Sequence, residues 1–496
     1  MNILIRADAS SKIGTGHLMR CLALAQKCQK KEWQVIFYIN DTASVFADRL
    51  IGQSIEVVYL RSLSGSVQDA QETSNLAKEL NCQWVVVDGY NFGADYQKII
   101  KDRGLNLLSI DDYGHANHYY ADLVLNQNIT ANEKFYYNRE PYTQLLLGTD
   151  YALLRREFWQ WQGWKRINPP IAKKILVTMG GADPDNVTLK VITALQNLED
   201  NELETVVIVG GSNLYYEQLK LASQKSQFPI RLEKNVTNMP ELVAWADLAV
   251  SAGGSTCWEL AFMGLPSLIL ILAENQRAIA QKLNELGIAI NLGYYQDVNI
   301  TEISSAIDQL IISANLRAEM TKFSQKLVDA KGSQRVLTYI EKDLLKVRSV
   351  CKEDCKLLWE WANDPEVRAA SFASDPIAWE DHVQWFNSKL TSENCVFYIV
   401  TNYQNLSIGQ VRYDIENNQA IISISIDHNF RYQGYGSHLL KIAQERLFQE
   451  QDITRIHAYI KPSNQSSIKT FTKAGFQSMD ITTQKGHPAV HLILDR

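Results

Sequence analysis

A histidine closes the turn Ser10-Ser11-Lys12-Ile13-Gly14-Thr15-Gly16-His17, which lies between a short apolar run and a helical period beginning at Leu18 and continuing through Leu22 and Ala25. An imidazole of ordinary pKa, about 6.5, accepts a proton from water near neutrality, so His17 is a candidate general base. Gly14 and Gly16 let a substrate approach the backbone closely, as a sugar subsite requires. His17, Leu18 and Met19 follow Gly14-Thr15-Gly16, so the third glycine of a dinucleotide fingerprint is missing and hydride transfer loses its main support. Taken alone, the turn is also an ordinary β-α connection with a polar cap.

Three further glycine turns point to phosphate. Val250-Ser251-Ala252-Gly253-Gly254-Ser255-Thr256-Cys257-Trp258-Glu259 follows an apolar run and opens a helical one. Free amides at Gly253, Gly254, Ser255 and Thr256 suit a diphosphate, and Glu259, one turn in, suits a ribose diol. Gly180 and Gly181, in Met179-Gly180-Gly181-Ala182-Asp183, end another strand of the same stretch. Near the C-terminus, Arg431-Tyr432-Gln433-Gly434-Tyr435-Gly436-Ser437 precedes the helical period of Leu439, Leu440, Ala443 and Leu447, and its successive amides suit a pyrophosphate.

The elements that must carry these turns follow from periodicity. Ile3–Ile5, Val35–Ile39, Ile55–Leu60, Trp84–Val87 and Leu105–Ile110 alternate with helical segments, which predicts a parallel sheet wrapped by helices. The pattern pauses at Trp159–Pro170 and restarts with Lys174–Thr178, Thr205–Val209, Leu248–Ser251 and Ser267–Leu272. After Glu341–Arg348 the order becomes helices and then consecutive strands, Val396–Thr401, Ser407–Tyr413 and Ala420–Asp427, which suits antiparallel pairing. Three domains are expected: 1–160 and 171–345, both Rossmann-like, and 346–496, of α+β class. At roughly 150 residues per domain the 496-residue length agrees.

Composition narrows the partners. With 55 acidic and 49 basic residues the chain carries a formal charge of −6, which disfavours nucleic acid. Leu265–Ala273, the longest apolar stretch, contains Pro266 and is about half the roughly 20 residues of a membrane span. The N-terminus has no signal-peptide pattern, and seven scattered cysteines without a Cys-x-x-Cys pair fit a reducing cytoplasm. No metal site is expected, and the sequence leaves the oligomeric state open. In Leu357–Leu390, Trp359, Trp361, Trp379, Trp385 and Phe386 read first as helix core, and otherwise as an acceptor-binding stripe.

The two α/β units with their glycine turns resemble the GT-B fold of MurG-type glycosyltransferases. More closely, RADASSKIGTGHLMRCLALA, VTMGGADPDN, SAGGSTCWELAFMGLP and GSQRV resemble the UDP-2,4-diacetamido-2,4,6-trideoxy-β-L-altropyranose hydrolases of pseudaminic acid biosynthesis, over roughly residues 1–345. The resemblance implies His17 as catalytic base and UDP held at Gly180, Gly181, Gly253, Gly254, Ser255, Thr256 and Glu259. Asp88, Asp111 and Asn126 follow first-unit strands and are candidate sugar contacts. Residues 346–496 resemble the GNAT acetyltransferases through Arg431-x-x-Gly434-x-Gly436, Pro462-Ser463-Asn464 and Ala474-Gly475-Phe476. That resemblance implies acetyl-CoA as cosubstrate, with Arg431, Gln433, Gly434, Gly436 and Ser437 at its pyrophosphate and Asn464 beside its pantetheine. Phe471 occupies the place of a thiol-protonating tyrosine and has no proton to give, which leaves Tyr459 as a candidate acid.

Together these imply a cytoplasmic enzyme that N-acetylates a UDP-4-amino sugar and hydrolyses the product by water attack at the anomeric carbon, with inversion. The alternatives are a UDP-sugar glycosyltransferase with an accessory GNAT unit, and a hydrolase with a non-catalytic acetyl-CoA module.

Overall fold

Strand β1 (Asn2–Ala7) is apolar on both faces, as a strand covered by helices on both sides must be, and Ile3, Leu4 and Ile5 are fully buried. In the computed structural model, which describes residues 1–8, 15–40, 44–199, 202–234, 236–402 and 404–496, it is followed by β2 (Gln34–Asn40), β3 (Glu56–Leu60), β4 (Trp84–Asp88), β5 (Asn106–Ile110), β6 (Leu123–Asn126) and β7 (Gln144–Leu147). These seven strands form one sheet in the order β3-β2-β1-β4-β5-β6-β7, and every pairing is parallel.

A second parallel sheet repeats the plan. Strands β8 (Lys174–Thr178), β9 (Glu204–Val209), β10 (Ile230–Lys234), β11 (Leu248–Ala252), β12 (Ser267–Ile271) and β13 (Ala289–Tyr294) take the order β10-β9-β8-β11-β12-β13. The two Rossmann-like halves form the expected GT-B arrangement. Ala152, Leu154 and Phe158 already pack in the core of the second half, against Trp258 and Phe262 among others. The Trp159–Pro170 connection is held there by Arg166, which donates to the carbonyls of Met263, Ala246 and Val243.

The third sheet is mixed. Strands β14 (Lys346–Ser349), β15 (Cys395–Thr401), β16 (Ser407–Glu416), β17 (Gln419–Ile426), β18 (Arg455–Ile460), β19 (Gln477–Gln484) and β20 (His487–Asp495) take the order β14-β15-β16-β17-β18-β20-β19. All its pairings are antiparallel except β17 with β18, which run parallel and pair only from Gln419–Arg455 to Ile421–His457. Beyond that pair the two strands part, leaving an opening in the sheet. The Leu357–Leu390 aromatics divide: Trp361 and Phe386 are core, while Trp379 is exposed.

Packing separates Met1–Val336, with both parallel sheets, from Leu337–Arg496, with the mixed sheet. The division falls within the helix Gly332–Glu341, upstream of residue 346. The physical reason is that Thr338 Oγ1 donates to the Gln433 carbonyl at 2.9 Å and buried Glu341 accepts from the Tyr435 hydroxyl at 2.9 Å, so the end of this helix packs with the last unit. None of the seven cysteines is in a disulfide. Among the described residues no helix is long and apolar enough to cross a membrane.

Candidate functional site

The first sheet reverses its strand order between β1 and β4, and the second between β8 and β11. Open α/β sheets bind ligands at the carboxyl ends of the strands at such points. The helix Gly16–Gln29 starts there with Thr15 as N-cap, placing His17 in its first turn. His17 Nδ1 lies 2.6 Å from Oδ1 of Asp88, the last residue of β4. A carboxylate oxygen only accepts, so Nδ1 carries the proton and Nε2 is left as the basic atom.

Asp88 is fully buried and binds the Arg20 guanidinium with both oxygens, at 2.6 Å each. Arg20 extends the chain to Asp112 at 2.7 Å, and Asp112 accepts from Tyr90 at 3.0 Å and Asn128 at 2.9 Å. The Tyr90 ring meets His17 edge to face at 5.1 Å, and its hydroxyl accepts from Asn275, in the second half, at 3.1 Å. Asp88, Arg20 and Tyr90 thus hold the His17 ring without touching Nε2.

Burial alone raises the pKa of both carboxylates, but the Arg20 charge outweighs it and holds Asp88 and Asp112 below the ordinary carboxylate range. A depressed folded-state pKa contributes stability above the unfolded value, about 3.9, that is lost as pH falls through the folded value. Asp112→Asn is therefore expected to cost about 2 kcal/mol at neutral pH. The gap between the melting curves of the two chains should stay constant from pH 7 to about pH 4 and close only as pH falls from there toward the depressed folded value. A gap that stays constant below pH 4 as well would remove the charge from the explanation.

The facing wall belongs to the second half. Gly180 adopts φ +87°, and a Cβ on Gly181 would come within 2.6 Å of Thr15 Oγ1, so the glycine pair lets the second half approach the His17 turn. The Gly253 amide donates to Gln276 at 3.2 Å, and the amides of Gly254, Ser255 and Thr256 precede the first helical bonds, Cys257 N to Gly254 O and Trp258 N to Ser255 O. A Cβ built on Gly16 would lie 3.8 Å from Ser255 Oγ, so base and amides face one another across a cleft of about 1500 Å³. Glu259 lines that cleft with Oε1 held by Arg155 at 2.8 Å.

Asp88, Asp111 and Asn126 stand behind the cleft wall. Asp111 accepts the Tyr113 and Gly114 amides at 2.7 and 2.6 Å and the Tyr119 hydroxyl at 2.6 Å. Asn126 donates to the Tyr136 hydroxyl at 2.8 Å and the Asp112 carbonyl at 2.9 Å. The polar groups that line the first half of the cleft include Arg20, Tyr90, Asp112, Gln127 and Asn128 instead. Gly14 lies outside the described residues. Arg20, one turn after His17, was accessible to helical spacing; Tyr90, Asp112 and Asn275 were not.

In the last unit Gly434 adopts φ +94° and caps the helix Tyr435–Glu450. A Cβ on Gly436 would come within 2.8 Å of Thr470 Cγ2, so this glycine permits contact with the helix Gln465–Lys473. Arg431 donates to the Ile426 carbonyl and pairs with Asp364 at 2.8 Å and Glu366 at 3.2 Å, while its buried Nη2 has no hydrogen-bond partner. The Gln433 side chain turns back to the Asn429 carbonyl. Ser437 is half-buried, and the Asn464 side chain caps Gln465–Lys473 by accepting the Ser467 amide at 3.1 Å. An orphaned guanidinium nitrogen, the glycine turn and the opening between β17 and β18 fit acetyl-CoA. Phe471 is buried against Phe476, and Tyr459 is half-buried on the opposite sheet face from Ala458.

Residues 174–336 match the glycosyltransferase family 28 C-terminal domain, and residues 345–477 match the acetyltransferase (GNAT) domain. The uncharacterized protein MJ1062 of Methanocaldococcus jannaschii is 25% identical over 98% of both chains. The spore coat polysaccharide biosynthesis protein SpsG of Bacillus subtilis is 25% identical over 69% of this chain and 98% of its own. The UDP-2,4-diacetamido-2,4,6-trideoxy-β-L-altropyranose hydrolase of Campylobacter jejuni is 26% identical over 59% of this chain and all of its own. The chain is an enzyme in which a GT-B unit with hydrolase-named relatives precedes a GNAT acetyltransferase domain.

Proposed function

We propose that the chain hydrolyses UDP-2,4-diacetamido-2,4,6-trideoxy-β-L-altropyranose to UDP and the free sugar, and N-acetylates the UDP-4-amino precursor of that substrate. The observation that carries the first half is the His17–Asp88 bond at 2.6 Å, in a first turn that faces the Gly254–Thr256 amides across the cleft. A sugar 1-diphosphate has a stable leaving group, so the reaction needs an activated water and a place for the departing charge. His17 Nε2 takes a proton from water, Asp88 stabilises the imidazolium that forms, and the amides of the second half hold the diphosphate. Attack opposite the leaving group inverts the anomeric carbon. Among the first-half groups, Asn128 and Gln127 supply amides to the sugar.

In the acetyl-transfer half, the Gly434–Ser437 amides and Arg431 hold the pyrophosphate, and the β17–β18 opening receives the pantetheine arm. Acetyl-CoA supplies the activated acetyl group, and positioning of the amine provides much of the rate. Thr338→Val and Glu341→Leu each remove a bond to this loop or to the first residue of its helix. Each is expected to weaken acetyl-CoA binding about fivefold, measured by calorimetry on the full chain, with UDP release unaltered. Unchanged affinity in both would detach the helix Gly332–Glu341 from the loop.

The test of the whole reading is mass spectrometry of a panel of UDP-4-amino sugars incubated with acetyl-CoA, followed over time for N-acetylation and UDP release. The glycosyltransferase family 28 match over residues 174–336 favours a second reading, transfer to a hydroxyl acceptor. Prompt release of UDP and free sugar without any acceptor would reject it; release only on adding an acceptor would reject hydrolysis.

A further inference from the structure

Three aromatic side chains stand open in the cleft wall beside His17. Tyr90, Tyr113 and Phe135 all line the cleft at 36%, 46% and 41% exposure, whereas Tyr119 and Tyr136, nearby in the chain, are fully buried. The Tyr90 ring lies 5.1 Å from the His17 ring and 5.2 Å from the Tyr113 ring. His115 meets both tyrosines edge to face, at 6.0 and 6.3 Å.

Buried contacts fix Tyr113 and Phe135 in that position. Asp111 accepts the Tyr113 and Gly114 amides, and also the hydroxyl of Tyr136, the residue after Phe135, at 3.2 Å. Gly114, at φ +80°, sits so near Phe135 that a Cβ on it would meet the Phe135 carbonyl oxygen at 2.7 Å. The two segments that carry these rings are thus locked to each other and to one buried carboxylate. Tyr90 already has a structural task, since its hydroxyl bridges Asp112 and Asn275. Tyr113 and Phe135 present ring surface to the cleft.

What covers that surface follows from the chemistry next to it. Water activated by His17 Nε2 must stand beside the anomeric carbon, so the sugar of a bound UDP-sugar lies next to His17 and within reach of the rings packed around it. Apolar ring surface gains when it removes methyl groups from water, and it strips a hydroxyl of its water without returning a hydrogen bond. The diacetamido-trideoxy sugar has three methyl groups, its terminal carbon and the two acetyl ends, and a single free hydroxyl. UDP-N-acetylglucosamine has one methyl group and three free sugar hydroxyls. We propose that Tyr113 and Phe135 form an apolar shelf that selects a deoxygenated, N-acetylated sugar over a hydroxylated one. Gln127 and Asn128, on the same half of the cleft, remain for the acetamido amides. The shelf rests on the UDP-sugar reading above and specifies what that site reads.

Calorimetry on the full chain carrying His17→Asn, in which turnover does not obscure binding, tests the selection. The diacetamido sugar nucleotide is expected to bind about fiftyfold more tightly than UDP-N-acetylglucosamine, within the roughly 10–200-fold that a methyl group is worth in an apolar pocket. Adding Y113S or F135S should each cut that preference about fivefold, and adding both should leave about twofold, because the two rings act on separate parts of the sugar. Y113F, which keeps the ring, should retain the preference. Affinity for UDP alone should stay unchanged and serves as the folding control. A preference that survives both serine substitutions, or one that is absent from the His17→Asn chain, would overturn the proposal. An equal loss for UDP alone would also overturn it, by assigning the two rings to the fold of the cleft. If the preference is present and lost as expected while the chain with His17 intact releases no UDP from either nucleotide, hydrolysis is rejected and the shelf stands.

Discussion

His17→Asn is expected to reduce UDP-sugar hydrolysis about a thousandfold while UDP affinity stays within about twofold. Asparagine keeps a donor near the place of Nδ1, so the Asp88 carboxylate, which also holds Arg20, retains a partner and the first turn of the helix keeps its anchor. What disappears is the only basic nitrogen the ring offers to water. The UDP site proposed above is built from Gly180–Gly181 and Gly253–Glu259 on the facing wall of the cleft, with no ligand role assigned to His17. Product release measured by chromatography and UDP binding measured by calorimetry separate the two effects. Near-normal turnover would take His17 out of the mechanism; joint loss of turnover and UDP binding would mean that the turn had collapsed.

The reason His17 could be singled out from sequence is that a glycine turn between an apolar run and a helical period occupies a fixed place in a parallel sheet. The same holds for Gly180–Gly181 and Gly253–Ser255: each sits after a strand next to a reversal of strand order, so the sequence pattern located both walls of the cleft. What it could not locate is what depends on distance through space. Arg20, Asp88, Asp112, Tyr90 and Asn275 form one chain of contacts drawn from four separate segments. A strand-end acid such as Asp111 reads identically to Asp88 in one dimension. In the fold one organises the Tyr113–Gly114 turn and the other holds the His17 ring.

Short elements were lost for a related reason. Strands β6 and β7 have four residues each, too few for alternation to stand out from neighbouring loops. Strand β10 carries Arg231, Glu233 and Lys234 on a sheet edge, which masks its apolar positions. Tyr113 and Phe135 lie outside any strand or α-helix, so no periodicity marked them. Residue 346 was a reasonable boundary by composition, yet the contacts of Thr338 and Glu341 tie the preceding helix to the glycine loop.

Gly434→Val should abolish most acetyl-CoA binding, by tenfold or more, and leave UDP release unchanged. At φ +94° the backbone lies in the region that a β-branched residue adopts only with strain, of order 1–3 kcal/mol. A Cβ there meets nothing closer than Thr338 Cγ2 at 3.9 Å, so the substitution is not blocked by packing and acts through the backbone. The strain relaxes by rotating the Gln433–Gly434 and Gly434–Tyr435 peptides, which turns the amides that precede the helix away from the position an anion would occupy. Binding is lost through donor orientation alone. Gly434→Ala adds only a Cβ, which meets nothing closer than 3.9 Å, so a loss of binding in it has a backbone cause, and wild-type binding in Gly434→Ala would make the valine effect steric. Calorimetry with CoA and with a CoA fragment lacking the diphosphate completes the argument: the loss should vanish for the fragment, and an equal loss for both ligands would show that the loop shapes the pantetheine channel and does not hold the phosphates.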